Sequence, residues 1–241
     1  MAALAATRAG RDSITAADVA GALDKVVLGD PRETKLDPKE RRRVAVHESG
    51  HAVVAHFSPE VEPPHRISII PRGMALGVTQ QSPGGDRHLM AQAELVARIR
   101  VLMGGYAAER LVLGSISTGA ENDLREATRL ASRMVAHFGM SERLGPVYYD
   151  HEAEHPFLGQ RMALESATSP ATIAAIEQEA RQILSAALDA ATALLQARRG
   201  DLDRLCSKLL EREIIDREEL RGLLGARPAG EGVPVTPPPM A

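Results

Sequence analysis

The chain has 241 residues, a formal net charge of −3 and a pI of about 6.3, so it lacks the basic surplus expected of a nucleic-acid-binding protein. Hydrophobic residues make up 44% of the sequence and aromatic residues only 2%, which predicts a core of Ala, Leu, Val and Ile and favours helices. The single cysteine, Cys206, excludes a disulfide framework and a thiolate metal site, and its apolar neighbours predict a core position. No apolar run of about 18 residues occurs, so we expect a soluble chain that does not itself span a membrane.

Hydrophobic periodicity, glycines and prolines divide the chain into segments that are mostly helical. The predicted elements are two short helices in 1–27, a linker at 28–36, a helix at 38–57, strands at 66–70 and 76–81, a helix at 91–113 interrupted by Gly104-Gly105, a helix at 120–138, an irregular stretch at 142–168, and helices at 170–198, 201–211 and 216–224. The Pro- and Gly-rich residues that follow are expected to be disordered. We therefore predict a mostly α-helical fold with a small β-sheet or hairpin.

The most informative motif is His47-Glu48-Ser49-Gly50-His51, inside the helix predicted at 38–57. Its two histidines lie on one helical face, about one turn apart, so both imidazoles can reach one metal ion. Glu48 follows the first histidine and is placed to accept a proton from a metal-bound water. Glycine in mid-helix costs about 1 kcal/mol relative to alanine, so Gly50 predicts a close approach by another segment.

A catalytic zinc site has three protein ligands and an open position for water, so a third ligand must come from elsewhere in the chain. Glu109 lies on the helix after the double glycine, and Asp123 lies in the first turn of the next helix, where backbone amides favour a carboxylate. The pattern does not separate these two candidates, and either is compatible with a solvated surface acid. The other histidines lack helical spacing with the motif and are predicted to be surface or packing residues: His56, His65, His88, His137, His151 and His155.

At this point the sequence resembles the peptidase part of FtsH-type ATP-dependent zinc metalloproteases. Besides the zinc motif, the matching blocks occur in the family's order over about residues 38–160. They are Ile69-Ile70-Pro71-Arg72-Gly73, Ala75-Leu76-Gly77, Gly104-Gly105 with Ala107-Ala108-Glu109, Ser117-Thr118-Gly119-Ala120-Glu121-Asn122-Asp123 with Ala127-Thr128, and Phe138-Gly139-Met140-Ser141 with Leu144-Gly145-Pro146. Residues 1–27 resemble the last helices of the small lid subdomain of the family's AAA+ ATPase.

The resemblance implies a helical, zincin-like peptidase domain with the small sheet beside the zinc-motif helix. It implies a Zn²⁺ ion held by His47, His51 and Asp123. It casts Glu48 as the general base and places Glu109 near the site, as a support for the ligands.

The strand predicted at 76–81 lies near the metal helix and can pair with an extended polypeptide substrate through main-chain hydrogen bonds. A glycine there permits a close approach of substrate backbone, although a bulge explains a strand glycine as well. Gln80-Gln81 departs from the apolar or aromatic residues that the family often carries, which predicts an altered substrate preference. The candidate substrate-binding residues are Leu76, Gly77, Val78 and Thr79.

The implied domains are the end of the ATPase lid with a linker at 1–35, the zinc metallopeptidase domain at 36–225 and a disordered tail at 226–241. The resemblance further implies a homo-hexamer that degrades unfolded or membrane-derived proteins in protein quality control. In a full-length form it implies a covalently linked AAA+ ATPase and a membrane anchor at the cytoplasmic face of the bacterial inner membrane. This chain has no P-loop motif, so it is expected to be a piece of such a protein or a shorter relative, and ATP binding is not assigned to it.

Two other functions remain open from the sequence. The same helical motif serves zinc amidohydrolases that act on small amides, and hydrolysis of casein against short acylated amides discriminates between them. A non-catalytic assembly or binding module can also retain zinc. Glu48 argues against that function, because a structural site needs no base and is typically rich in thiolates.

Overall fold

The computed structural model describes residues 1–15, 18–19, 21–22, 25–26, 36–71, 76–81, 89–149 and 168–228. The elements, in chain order, are helix α1 (Ala2–Arg8), helix α2 (Pro38–His56), strand β1 (Pro64–Ser68), strand β2 (Val78–Gln81), helix α3 (Gln92–Leu113), a 3₁₀ turn (Thr118–Ala120), helix α4 (Glu121–Ala136), helix α5 (Pro170–Ala197), helix α6 (Arg199–Arg212), strand β3 (Ile214–Asp216) and helix α7 (Arg217–Leu224). The predicted fold class, mostly α with a small sheet, is confirmed. In the described part of the chain, no helix combines the length and apolarity needed to cross a bilayer.

The start of the zinc-motif helix α2 is fixed by its own sequence. The Asp37 carboxylate accepts hydrogen bonds from the backbone amides of Lys39 (2.7 Å) and Glu40 (3.0 Å). Pro38 occupies the first turn, where its missing N–H costs nothing. The helix ends at His56, one residue before the predicted end.

The capping box predicted near the N-terminus is also present. The Thr15 amide donates to Asp18 Oδ2 (2.8 Å), and the Asp18 amide donates to Thr15 Oγ1 (3.3 Å). Arg11 donates two further hydrogen bonds, each of 2.6 Å, to the same carboxylate and lowers the pKa of Asp18 well below its usual value. The predicted linker at 28–36 lies outside the described residues except for its last residue.

Three antiparallel strands form one sheet in the order β2-β1-β3. Ile67 in the central strand pairs with Thr79 on one side and Ile215 on the other, and both isoleucines are fully buried. The two strands of the predicted hairpin are present, shifted by about two residues from 66–70 and shortened from 76–81. Strand β3 was not predicted, because three residues are too few to show an alternating pattern.

Helix α3 runs without a break, so the predicted interruption at Gly104-Gly105 is wrong. The first of these glycines instead serves packing. A Cβ atom added at Gly104 would lie 2.8 Å from the carbonyl oxygen of Gly50, and one added at Gly50 would overlap the carbonyl oxygen of Gly104 and lie 2.5 Å from the Cβ of Ala108. Helices α2 and α3 therefore cross in backbone contact, and the close approach predicted at Gly50 is confirmed.

The hydrophobic core lies behind the zinc-motif helix and draws on all the helices from α2 to α7 and on the sheet. Cys206 is partly buried against this core with a free thiol, as predicted, and burial raises its pKa. Fully buried members of the core include Val53, Ile99, Met134, Leu195, Leu205 and Ile215.

The described chain continues past α7. Arg227 donates a hydrogen bond to the carbonyl oxygen of Ser58 (2.6 Å) and another to that of Val61. The boundary predicted at 226 therefore falls inside hydrogen-bonded structure, and residues 229–241 lie outside the described part.

Gly50→Ala is expected to lower the free energy of unfolding by about 1–3 kcal/mol, the usual cost of overpacking a tight contact. Alanine otherwise favours a helix interior over glycine by about 1 kcal/mol, so the sign of the change tests the crossing. Urea unfolding of the zinc-free protein measures it.

Gly222→Ala in α7 is the matched control, because no atom lies within 4 Å of an added Cβ there. This variant is expected to be neutral or slightly stabilising. A Gly50→Ala protein at least as stable as wild type would contradict the backbone contact between α2 and α3.

Candidate metal centre

Three side chains from two helices converge on one point. His47 and His51 lie one turn apart on α2, and Asp123 lies in the first turn of α4. The two imidazole Nε2 atoms are 3.0 Å apart, and Asp123 Oδ2 lies 3.0 Å from the Nε2 of His47 and 3.2 Å from that of His51. Among the His, Cys, Asp and Glu side chains that the structure describes, this is the one cluster close enough to hold a metal ion.

The second nitrogen of each imidazole is held by helix α3. Nδ1 of His51 lies 2.8 Å from the carbonyl oxygen of Val101, and Nδ1 of His47 lies 2.9 Å from Glu109 Oε1. A carbonyl can only accept, so a neutral His51 carries its proton on Nδ1 and presents a lone pair on Nε2. The carboxylate selects the same tautomer for His47.

This arrangement fits a zinc ion. Two nitrogen lone pairs and a carboxylate oxygen that face each other across 3.0–3.2 Å repel one another unless a cation lies between them. Ligands about 2.0–2.2 Å from a tetrahedral Zn²⁺ are roughly 3.3 Å from each other. The donor types, nitrogen and carboxylate oxygen, are also those of catalytic zinc sites.

The electrostatics of the cluster favour positive charge. Burial lowers the pKa of His47, but hydrogen bonds with Asp123 and Glu109 outweigh it and raise that pKa to about 10. Burial raises the pKa of Asp123, and the two imidazoles outweigh it and lower that pKa well below its usual value. The metal-free pocket therefore binds a proton where a divalent cation would satisfy the same acidic groups.

Glu109 stands behind the cluster and is not part of it. Its carboxylate is 1% exposed and accepts hydrogen bonds from His47, from Ser117 Oγ (3.0 Å) and from the Arg43 guanidinium (2.5 Å). Burial raises the pKa of Glu109, but these donors lower it more, so the group is ionised. Of the two acids that the sequence left open, Asp123 lies at the donor atoms and Glu109 lies on the far side of one imidazole ring.

Glu48 is buried beside the donor cluster, and burial raises its pKa although the nearby imidazoles oppose the shift. Thr79 Oγ1 on β2 donates a hydrogen bond to Glu48 Oε2 (2.7 Å). A Cβ added at Gly77 would lie 2.8 Å from both Cγ and Oε1 of Glu48. This contact is an explanation of the glycine that the sequence did not suggest, beside a substrate approach or a bulge.

Gly105 makes room for a metal-binding side chain. A Cβ atom there would lie 2.5 Å from Cε1 and Nε2 of the His47 ring. Val101, Gly105 and Glu109 therefore line one face of α3 at spacings of four residues, against the zinc motif. The sequence carried this periodic signal, and it also placed Arg43 four residues before His47, but neither was used in the sequence analysis.

The remaining candidate residues lie away from the donor atoms. Leu76 is 43% exposed, and Val78 belongs to the edge strand β2. His56 is buried at the end of α2, and His137 stacks on Tyr148 with ring centroids 5.0 Å apart, as expected of packing residues. His65 lies on β1 and does not join the cluster. Three histidines fall outside the described residues: His88, His151 and His155.

Comparison with known proteins agrees with this geometry. The family model for peptidase family M41 matches residues 34–223. The "ATP-dependent zinc metalloprotease FtsH 4" of Sphaerobacter thermophilus is 43% identical over 233 residues, which cover 97% of this chain and 35% of the relative. The FtsH proteins of Pseudothermotoga lettingae and Thermotoga maritima are 44% and 43% identical over 225 residues, 92% of this chain and 36% and 37% of the relatives.

The chain thus spans about a third of the length of these relatives. The matched region includes the zinc motif, the double glycine and Asp123. The resemblance to FtsH-type metalloproteases, predicted from short blocks of sequence, is confirmed over most of the chain, and the chain belongs to peptidase family M41.

Proposed function

We propose that this chain is the zinc-dependent endopeptidase part of an ATP-dependent, FtsH-like protease. The observation that carries the proposal is the approach of three donor atoms, on His47, His51 and Asp123, to within 3.0–3.2 Å of one another. These residues are the zinc ligands, Glu48 is the general base, and Glu109 orients an imidazole. The names of the relatives, each an ATP-dependent zinc metalloprotease, support the same activity.

The reaction is hydrolysis of a peptide bond. A bound zinc ion supplies a Lewis acid that lowers the pKa of its water towards about 7 and polarises the scissile carbonyl. Glu48 accepts the proton of the attacking water and passes it to the leaving amine. Burial strengthens this base by raising its pKa, and the hydrogen bond from Thr79 fixes the direction of its carboxylate.

Strand β2 is the proposed substrate-binding element. It lies at the edge of the sheet, and its outer side has no strand partner within the described ranges. The main-chain groups of Leu76, Gly77, Val78 and Thr79 can therefore pair with an extended polypeptide. Pairing of this kind recognises backbone more than side chains, which suits unfolded or membrane-derived protein substrates.

The assembly belongs to the proposal as well. By its family, the full-length protein is a homo-hexamer with a covalently linked AAA+ ATPase, anchored at the cytoplasmic face of the bacterial inner membrane. Residues 36–225 form the peptidase domain, 1–35 the end of the ATPase lid with a linker, and 226–241 the tail. The relatives' length, about three times that of the matched region, leaves room for these parts.

Glu48→Gln is expected to lower the rate of casein cleavage by at least about 10²-fold, because an amide cannot accept a proton from water. Zinc content, measured by atomic emission, should stay at the wild-type level. Chelation should abolish wild-type cleavage, and added zinc should restore it. Glu60→Gln, at an exposed acid outside the site, is the control. Casein hydrolysis that persists in Glu48→Gln or under chelator would refute the mechanism.

Asp123→Asn and Glu109→Gln separate the two acids. Loss of an outer partner of a ligand typically weakens metal binding by about 10–100-fold, and Glu109→Gln is expected in that range. Asp123→Asn should weaken zinc binding further, since it alters a ligand atom. Chelator competition measures both affinities, with Glu121→Gln at an exposed neighbouring acid as the control. A larger loss in Glu109→Gln would reverse the assignment of the third ligand.

Zinc binding should release close to one proton per ion at pH 8. The pKa of His47 is raised from 6.5 to about 10 without metal, so its imidazole holds a proton that must leave before Nε2 can bind. The apparent affinity should therefore rise by up to about tenfold per pH unit from pH 7 to 9. Calorimetry in buffers of different ionisation enthalpy counts the protons, and a buffer-independent heat would contradict this prediction.

A further inference from the structure

Arg43 is an arginine whose contacts all lie behind the zinc centre. It stands four residues before His47 and so on the same face of α2. One guanidinium nitrogen donates to Glu109 Oε2 (2.5 Å) and to the carbonyl oxygen of Ser115 (3.0 Å), and the other donates to Ser115 Oγ (3.0 Å). A single side chain thereby ties α2 to α3 and to the segment that follows α3.

That segment leads directly to the proposed third ligand. Helix α3 ends at Gly114, whose φ of 67° turns the chain, and Ser115–Ser117 then connects it to the 3₁₀ turn and α4. Ser117 Oγ donates to Glu109 Oε1 (3.0 Å) and accepts from the Gly119 amide (3.3 Å). The segment is therefore held at one end by the arginine and at the other by the carboxylate that the arginine contacts.

We propose that Arg43 is a positioning residue for the zinc centre. Together with Glu109 it sets the orientation of His47 and the position of the segment that carries the chain to Asp123, relative to each other. The inference rests on the proposed function, since it takes these residues as zinc ligands. The two ligands lie 76 positions apart in the chain, so their mutual position depends on tertiary contacts of this kind.

The guanidinium is suited to this role by its shape. Its planar fork can donate to a carboxylate and to a second pair of acceptors at fixed angles, whereas a lysine ammonium is a compact point charge on a flexible stem. Arg43 is 31% exposed and Glu109 is 1% exposed, so the arginine also supplies the charge that keeps this buried carboxylate paired. Lysine at this position would keep the charge but not the simultaneous contacts with Ser115.

A merely structural ion pair and a positioning residue make different predictions. A structural pair stabilises the zinc-free and zinc-bound protein alike and leaves the zinc affinity unchanged. A positioning residue holds the ligands in the geometry that zinc requires, so its loss weakens binding and reduces the stabilisation that zinc confers on the fold.

The test is the zinc dissociation constant of the 241-residue chain, measured by chelator competition on wild type, Arg43→Met, Arg43→Lys and the control Arg42→Met. Arg42 is the exposed neighbour whose charge acts on Cys206 of α6. Arg43→Met is expected to weaken zinc binding by about 10–100-fold, with Arg43→Lys in between and Arg42→Met within about twofold of wild type. The rise in melting temperature on adding zinc should shrink in the same order.

An Arg43→Met protein that binds zinc as tightly as wild type, or an Arg42→Met protein that loses as much affinity, would overturn the inference. Should Arg43→Met fail to fold, Arg43→Lys carries the same test, and wild-type affinity in that variant would overturn the role of the Ser115 contacts. If wild type itself binds no zinc, the proposed function fails. If wild type binds zinc and Arg43→Met does so equally, this inference alone fails.

A double-mutant cycle sharpens the assignment. Because Arg43 acts through Glu109, Arg43→Met combined with Glu109→Gln should weaken zinc binding little more than the stronger single variant. Losses that multiply in the double variant would mean that the two residues act independently, which would overturn the shared mechanism.

Discussion

The backbone contact between Gly50 of α2 and Gly104 of α3 is the constraint on which the metal centre depends. With the two helices this close, α3 presents the Val101 carbonyl to one imidazole and the Glu109 carboxylate to the other, and Gly105 leaves space for a ring between them. Any side chain at the crossing would move α3 outward and separate both imidazoles from their partners. The polar geometry of the site therefore rests on an apolar packing contact.

Two buried carboxylates flank the zinc motif, and their surroundings give them opposite properties. Glu48 is surrounded by few donors, so burial raises its pKa, which suits a group that must take up a proton. Glu109 accepts hydrogen bonds from an imidazole, from Ser117 and from Arg43, so it stays ionised and fixes the ring it contacts. Thr79 links the base to the edge strand, so the element proposed to bind substrate also orients the group that activates water.

The zinc-motif helix was predictable because its determinants are local: Asp37 caps it, and the spacing of its two histidines acts within one turn. The choice between Asp123 and Glu109 was not, because it depends on the face that each helix turns towards the motif, which only tertiary packing sets. The break predicted at Gly104-Gly105 failed for the same reason, since packing against α2 outweighs the low helix propensity of glycine. Strand β3 is too short to carry a signal of its own.

Anomalous diffraction at the zinc edge, from crystals of this chain grown with zinc in excess, tests the central claim most directly. The account predicts one strong peak about 2.0–2.2 Å from Nε2 of His47, Nε2 of His51 and a carboxylate oxygen of Asp123, with Glu109 still hydrogen-bonded to the far side of its imidazole. A peak bonded to Glu109 in place of Asp123, or no peak at the three donor atoms, would contradict it.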